Sequence, residues 1–267
     1  MTELDYKNRW VLVTGASSGI GAEFARALAH RGANLVLTAR SVERLEQLAL
    51  DLGRVNGVLT RVVVADLGAA DGIGALLDGV DALGVRIEHV ISNAGFGSTG
   101  RFVNTDAAAE SRMVRVNCEA VLALARHFTP SFVESRSGGI LHVASTAAYQ
   151  PTPYMATYGA TKAFVMSFSL ALREELSGTG VRVVTLCPGP VPTGFQQVAG
   201  VAEPLPRLSV LSAASVVEAA LQGYDRNTAL VVPGALNSLQ TSAVKLLPRP
   251  LVSKAVRFAL RKRARRA

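Results

Sequence analysis

The sequence contains few cysteines, few charged residues and no long apolar run. Its 267 residues include only Cys118 and Cys187, neither with metal-ligand spacing, so we expect no metal site and a reduced, cytoplasmic setting. No stretch supplies about 20 consecutive apolar residues, which a transmembrane helix requires. The first ten residues, MTELDYKNRW, lack the apolar segment of a secretory signal. Because 49% of residues are hydrophobic and 18% charged, the composition excludes disorder and predicts a large core.

Acidic residues are missing from the C-terminal segment, which accounts for the net charge of +8. The chain up to position 244 is close to neutral. Nine basic residues follow it, namely Lys245, Arg249, Lys254, Arg257, Arg261, Lys262, Arg263, Arg265 and Arg266. We therefore expect one domain over residues 1–244 and a basic, partly helical tail over 245–267. Without an aromatic platform or a nucleic-acid motif, this charge does not predict nucleic-acid binding. From Leu251 the tail has helical spacing, with Val252, Val256 and Ala259 towards one side. It is therefore either a weak peripheral membrane helix or a solvated tail packed on the domain.

Strand and helix patterns alternate along the domain. Amphipathic segments separate seven short apolar runs that predict strands. These runs are RWVLVTG, NLVLTAR, GVLTRVVVADL, EHVISNAG, GGILHVAS, VRVVTLCPG and ALVVPG. Capping serines, Ser41 and Ser212, precede two of the helical segments. The long segment from Asp106 to about Glu134 contains Pro130, which we expect to bend or break it. The alternation predicts an α/β fold, a single-domain Rossmann-type, doubly wound parallel sheet with helices on both faces.

A glycine-rich turn, TGASSGIG, joins the first strand to the first helix. Gly15, Gly19 and Gly21 would allow a tight turn and let a diphosphate approach the positive end of a helix. About 20 residues later, where a carboxylate would bind the ribose of NAD, the chain has Arg40. A guanidinium suits the 2′-phosphate of NADP(H) instead, so we expect NADP(H) in preference to NAD(H); the alternative is that Arg40 is a solvated strand end. Asp66 ends the third strand, where its carboxylate can accept a hydrogen bond from an adenine amino group.

Ser145, Tyr158 and Lys162 form the candidate acid/base site. Tyr158 and Lys162 lie four residues apart in a helical segment, so they project from the same face. Ser145 ends the fifth strand, at the edge where open α/β sheets bind ligands. On its own the spacing of Tyr and Lys is a weak signal, since three ordinary surface residues would give the same pattern.

Taken together, these motifs resemble the short-chain dehydrogenase/reductase family from about residue 8 to 233. The resemblance rests on TGASSGIG, Asp66-Leu67, NAG at 93–95, Asn117, Ser145, YGATK at 158–162 and PGPVPT at 188–193. It implies a catalytic tetrad of Asn117, Ser145, Tyr158 and Lys162. It also implies an NADP(H) site built from Gly15, Ser17, Ser18, Gly19, Ile20, Gly21, Arg40, Asp66, Leu67, Asn93, Ala94, Gly95, Tyr158, Lys162, Pro188, Gly189, Val191 and Thr193. Ser92 stands where the family usually has a second Asn. The family also forms dimers or tetramers, so we expect a homodimer or a homotetramer.

The resemblance implies an oxidoreductase that moves a hydride between NADP(H) and a carbonyl compound or its alcohol. Tyr158 would be the general acid, and we expect Lys162 to lower its pKa. Asn117 would anchor a water that links Lys162 to solvent, or it would cap a helix irregularity. Residues 194–211 are mostly apolar at the family's variable substrate loop, which favours a hydrophobic ketone or aldehyde as the small-molecule substrate. The alternative is a non-catalytic NADP(H)-binding sensor or scaffold, which would be expected to lose Tyr158 or Lys162.

Overall fold

A computed structural model describes residues 4–200 and 210–261. Seven strands form one parallel sheet in the order β3-β2-β1-β4-β5-β6-β7. The strands are Trp10–Thr14 (β1), Asn34–Ala39 (β2), Thr60–Val64 (β3), Ile87–Ser92 (β4), Gly139–Val143 (β5), Arg182–Leu186 (β6) and Leu230–Val231 (β7). The predicted fold class and the seven strands are therefore confirmed. The strand order reverses between β1 and β4, and this is where a doubly wound sheet opens a crevice for ligands.

Helices cover both faces of this sheet. They are Gly19–His30 (α1), Val42–Asn56 (α2), Gly72–Asp81 (α3), Ala107–Val114 (α4), Ala120–Glu134 (α5), Ala156–Glu175 (α6), Phe195–Val198 (α7), Ala213–Asp225 (α8), Ala235–Leu246 (α9) and Arg249–Leu260 (α10). Side chains alternate across the strands, so Val11 and Val13 pack beneath α1, α2 and α8, while Leu12 packs on the opposite face with α3 and α5. Within the described ranges, no helix has both the length and the apolar character needed to span a bilayer.

The long helical segment is irregular at a different place from the one predicted. Pro130 lies inside α5 and does not break it. The irregularity is a π-helical turn, Arg115–Glu119, between α4 and α5. Such a turn contains an extra residue relative to an α-helix, so it changes which side chains face the sheet. Asn117 lies within it and is fully buried.

The two predicted capping serines differ. Ser212 caps α8, because its hydroxyl accepts a hydrogen bond from the Ser215 backbone N–H at 3.1 Å. Ser41 occupies the capping position of α2, but its side chain makes no capping bond. The prediction that the Ser41 side chain caps α2 is therefore wrong. The first backbone N–H groups of α2 are left without that partner.

The segment after β7 forms two helices. Helix α9 crosses position 244, where the sequence analysis ends the domain, and α10 follows within the basic segment. The division into a domain of residues 1–244 and a tail of residues 245–267 stays a prediction. Residues 262–267 lie outside the described residues, as do residues 201–209 of the variable loop and residues 1–3.

Candidate active site

The glycine-rich turn and the NAG segment form one hydrogen-bonded unit at the carboxyl edge of the sheet. The Thr14 hydroxyl accepts hydrogen bonds from the backbone N–H groups of Asn93 and Ala94, each at 3.0 Å. In return, Asn93 Nδ2 donates to the Thr14 carbonyl at 2.9 Å. Gly15 has a φ of +68°, and a Cβ added at Gly21 would lie 2.5 Å from Asn93 Nδ2. Because side chains are excluded here, the backbone can come close to a bound group.

The amino-terminal end of α1 opens into the same space. Ser18 occupies the capping position of α1 without a side-chain capping bond, and Ser17, Ser18 and Ile20 line the cavity described below. Free N–H groups and the helix dipole favour a phosphate at this point. The glycine turn, Asn93 and this helix end therefore fit the diphosphate of a dinucleotide.

Cationic side chains surround the outer end of this site. Arg40 follows β2 and Arg44 lies in the first turn of α2; both are exposed and line the same cavity. Asp66 is not simply free for an adenine. Its Oδ1 accepts from the Gly68 backbone N–H at 2.9 Å, and its Oδ2 pairs with Arg112 at 3.3 Å. Arg44 and Arg112 were not predicted from the sequence.

Ser145, Tyr158 and Lys162 meet at the carboxyl end of β5. The Ser145 hydroxyl accepts a hydrogen bond from the Ala147 backbone N–H at 3.1 Å. Lys162 is 5% exposed; its Nζ donates to the Val143 carbonyl at 2.8 Å and lies 5.9 Å from the centre of the Tyr158 ring. The Phe195 ring covers Tyr158 with 5.3 Å between centroids. The helical spacing thus does place phenol and ammonium together, beside the strand-end serine.

Burial controls the protonation of this pair. It raises the pKa of Tyr158 to about 12, and interaction with the Ser145 side chain offsets part of that rise. Burial also lowers the pKa of Lys162 to about 8. The direction for Tyr158 is opposite to the one expected from the neighbouring Lys162, because burial removes the water that would stabilise the phenolate. The Tyr158 side chain therefore holds its proton firmly at neutral pH.

Asn117 lies behind the pair. Its Oδ1 accepts from the Phe96 backbone N–H at 3.1 Å, and its Nδ2 donates to the Phe96 carbonyl and the Thr161 hydroxyl, each at 3.0 Å. Thr161 in turn donates to the Tyr158 carbonyl at 2.8 Å. Asn117 thus connects the π-helical turn, the segment after β4 and the helix that carries Tyr158.

One cavity of about 910 Å³ joins the two parts of the site. Every residue proposed for the cofactor or catalysis lines it except Gly21 and Asn117, which lie behind its wall. Thr193 and Val191 line it near Phe195, and the Thr193 hydroxyl accepts from the Phe195 backbone N–H at 3.3 Å. Phe195 and Gln196 of the predicted substrate loop line the cavity, and the lining residues that were not predicted include Met155 and the helical residues Asn237, Gln240, Val256, Ala259 and Leu260.

A family comparison agrees with this geometry. The sequence profile described as short chain dehydrogenase matches residues 9–203, which is most of the chain. The protein therefore belongs to the short-chain dehydrogenase family. Members of the family use nicotinamide cofactors, in keeping with the glycine turn and the uncapped end of α1.

Individual relatives have related activities. A very-long-chain 3-oxoacyl-CoA reductase of Anas platyrhynchos is 34% identical over 195 residues, which cover 71% of this chain and 62% of the relative. A short-chain dehydrogenase from Sphingobium yanoikuyae, solved in complex with NADPH, is 36% identical with a TM-score of 0.80, covering 89% and 94% of the two chains. A bulky-bulky ketone specific alcohol dehydrogenase from Comamonas testosteroni is 33% identical with a TM-score of 0.76, covering 92% and 94%. The chain spans about half to two thirds of the length of the 3-oxoacyl-CoA reductases it matches.

Proposed function

We propose that the protein is an NADP(H)-dependent reductase of a hydrophobic ketone or aldehyde, or catalyses the reverse oxidation of the alcohol. The observation that carries the proposal is the single cavity that holds a dinucleotide cradle at one end and Ser145, Tyr158 and Lys162 at the other. A bound nicotinamide dinucleotide would supply the hydride. The residues of the chain would position the carbonyl group and supply the proton.

Tyr158 is the proposed general acid. As hydride reaches the carbonyl carbon, the carbonyl oxygen becomes an alkoxide, which takes the Tyr158 proton. The Ser145 hydroxyl would donate a hydrogen bond to that oxygen and stabilise its developing charge. Because burial raises the pKa of Tyr158 to about 12, the phenol is protonated at neutral pH, which suits reduction. Lys162, whose pKa is lowered to about 8, would bind the ribose hydroxyls and return a proton to Tyr158.

The choice of NADP(H) rests on the start of α2. Arg40 and Arg44 bring two guanidinium groups to the cavity, and Ser41 leaves the first N–H groups of α2 without a side-chain cap. A 2′-phosphate would meet both cations and the positive end of the helix dipole, whereas a 2′-hydroxyl would not. The Sphingobium yanoikuyae relative binds NADPH, which agrees with this assignment.

The preference for a hydrophobic carbonyl rests on the side chains around Tyr158. Met155 and Phe195 line this end of the cavity, and Phe195 packs on the Tyr158 ring. Glu203, Arg207 and Ser209, polar residues of the variable loop, lie outside the described residues. The ketone named for the Comamonas testosteroni relative carries bulky groups on both sides, which is consistent with an apolar subsite.

The test compares Tyr158→Phe with Tyr154→Phe in NADPH-dependent reduction of a panel of hydrophobic ketones. The first variant should lose turnover by at least about a hundredfold, since general acid catalysis contributes about 10²–10⁴-fold. It should keep NADPH binding. Tyr154, in the segment before α6, does not line the cavity, so its variant should match the wild type. Wild-type protein that binds NADPH but reduces no carbonyl would support the alternative, a non-catalytic NADP(H) sensor or scaffold. Near-normal turnover in Tyr158→Phe would show that Tyr158 is not the general acid.

A homodimer or homotetramer is the proposed assembly. Leu122 on α5 and Phe164 on α6 are large apolar side chains left exposed on the long helices, as expected where a second copy packs. Sedimentation velocity would measure the mass in solution. A monomer at all micromolar concentrations would contradict the proposal.

Weak peripheral contact with an anionic membrane is a second partner proposal. Phe258 is 81% exposed and Leu251 58% exposed on α10, among the exposed cations Lys254, Arg257 and Arg261. This pattern is typical of helices that rest on an anionic lipid surface. Lys262, Arg263, Arg265 and Arg266 lie outside the described residues. We propose no nucleic-acid partner.

A further inference from the structure

Two prolines turn the chain back towards the catalytic end of the cavity. Proline disfavours a helical conformation in the residue before it, and Leu247, which precedes Pro248, has extended angles of φ −97° and ψ 145°. Helix α9 therefore ends at Leu246. Helix α10 begins at Arg249, where Pro250 in the first turn costs no hydrogen bond. The sequence Leu-Pro-Arg-Pro thus makes a sharp corner instead of one long basic helix.

Helix α9 fixes where this corner lies. Asn237 and Thr241 are buried, and a Cβ at Gly189, in the segment after β6, would lie 2.5 Å from Asn237 Nδ2. At the other end of α9, Lys245 Nζ lies 5.2 Å from the centre of the Tyr149 ring. Tyr149 follows closely after Ser145. Helix α9 is therefore packed against the two segments that form the catalytic end, and the start of α10 must lie beside them.

One side of α10 is turned towards the protein. Val252 is 6% exposed, and Val256 and Leu260 are partly buried one and two turns later. Residues four apart share a helix face, so these three form one apolar line. Val256, Ala259 and Leu260 line the same cavity as Tyr158 and Met155. The opposite side of α10 carries Leu251 and Phe258, which face solvent.

We infer that α10 is a wall of the substrate subsite and selects carbonyl compounds with a long or bulky apolar substituent. The inference rests on the proposed reductase function and deepens it. A reactive carbonyl must sit at Tyr158, while the rest of the molecule extends along the apolar line of α10. Apolar contact there would lower the free energy of binding in proportion to the area buried. Small ketones would not reach this line and would gain nothing from it.

Ala259→Trp tests the wall, and Ala255→Trp is its matched control. Both alanines are exposed on α10 one turn apart, but only Ala259 lines the cavity. The two substitutions therefore have the same helix-propensity cost, and only the first reduces the proposed subsite. The substrates are 2-butanone and 2-dodecanone, which share the reacting group and differ in tail length. The quantity measured is kcat/KM with NADPH at equal enzyme concentration.

In Ala259→Trp, kcat/KM for 2-dodecanone should fall at least about tenfold, since one methylene group that a pocket excludes is worth about 10- to 200-fold. The value for 2-butanone should change less than about threefold, and Ala255→Trp should resemble the wild type with both ketones. An equal loss of kcat/KM for both ketones, or no loss for 2-dodecanone, would refute the inference that α10 lines the substrate subsite.

A binding measurement keeps this inference separate from the proposed function. The chain has one native tryptophan, Trp10, so the emission that each variant adds reports on the new side chain. With oxidised NADP⁺, a ketone binds without reacting. At a ketone concentration raised to offset the weaker binding that the new side chain causes, 2-dodecanone should shift the emission of Ala259→Trp and leave that of Ala255→Trp unchanged. If the wild type reduces no carbonyl compound, the proposed function fails, and this shift alone decides whether α10 lines a subsite. No shift, or the same shift in both variants, would refute it.

Discussion

Lys162 is a buried cation, and its replacement by methionine should change how stability depends on pH. Burial lowers the pKa of Lys162 from 10.5 to about 8. In the unfolded chain the ammonium is solvated and titrates near its ordinary value. Between these two pKa values the unfolded state holds a proton that the folded state has released. The contribution of Lys162 to the free energy of unfolding should therefore rise with pH in this window, and the cost of burying the charge should be greatest below pH 8.

The magnitude follows from the two pKa values. Integration of the proton difference from pH 7 to pH 9.5 gives about 2 kcal/mol of added stability from Lys162. Lys162 is 5% exposed, so solvent screens little of this effect. Lys162→Met has no titrating group here, so its free energy of unfolding should lack this increment. The variant also loses the hydrogen bond from Lys162 to the Val143 carbonyl. This loss lowers its free energy of unfolding by the same amount at both pH values, so it does not change the slope of that free energy against pH.

Urea denaturation followed by circular dichroism measures both free energies at one fixed protein concentration, which removes the effect of subunit association. Lys245→Met is the control, because Lys245 is exposed and its variant should keep the wild-type slope. Identical slopes for the wild type and Lys162→Met would show that the ammonium is not desolvated in the folded protein. The raised pKa of Tyr158 would then also be in doubt, since burial is the largest cause of the pKa shift in both groups.

Three further results are expected. Arg40→Ala should weaken NADPH binding about ten- to a hundredfold and NADH binding little, since a charge-assisted contact contributes about 1.5–3 kcal/mol; equal losses would contradict the 2′-phosphate assignment. Gly21→Ala should abolish measurable NADPH binding, because its Cβ would clash with Asn93. Gly74→Ala in α3 is the control, since a Cβ there meets open space, and NADPH binding in both variants would refute the assignment of the glycine turn to the diphosphate. Phe258→Ser should reduce co-sedimentation with anionic vesicles roughly tenfold, since a buried Phe side chain contributes about 1.5–3 kcal/mol. Phe102→Ser, at a residue also exposed but away from α10, should have no effect, and equal sedimentation of both variants would exclude α10 as the contact.

Much of the fold was readable because a parallel sheet leaves a regular pattern. Strands buried on both faces, such as Gly139–Val143, are short apolar runs, and the amphipathic helices between them cannot be mistaken for strands. The same regularity placed Ser145, Asn93 and Asp66 at strand ends. The helical spacing of Tyr158 and Lys162 then placed their side chains together without any knowledge of the loops.

The features that sequence reasoning missed depend on tertiary packing. The π-helical turn has no local signal, since Asn117 is held by partners from the segment after β4 and from α6 that are distant in the chain. The pKa of Tyr158 depends on burial, which a motif does not report. The path of α10 was obscured by the run of basic residues, although Pro248 and Pro250 gave a signal for the corner. Arg44 was missed because it lies on a helix surface, where arginine is common.

The π-helical turn has a consequence for how the gene can change. Removal of one codon within Arg115–Glu119 would restore ordinary α-helical pairing and turn the residues on one side of the deletion by about 100° relative to the other. The local backbone would gain a more regular structure, but Asn117 would no longer keep its place relative to both Met113 and Leu124, which are buried on either side of it. Its amide could not meet Phe96 and Thr161 while both flanks stayed packed. A one-residue deletion here would therefore cost either the packing of one flank or the hydrogen bonds that hold Asn117 behind the catalytic pair.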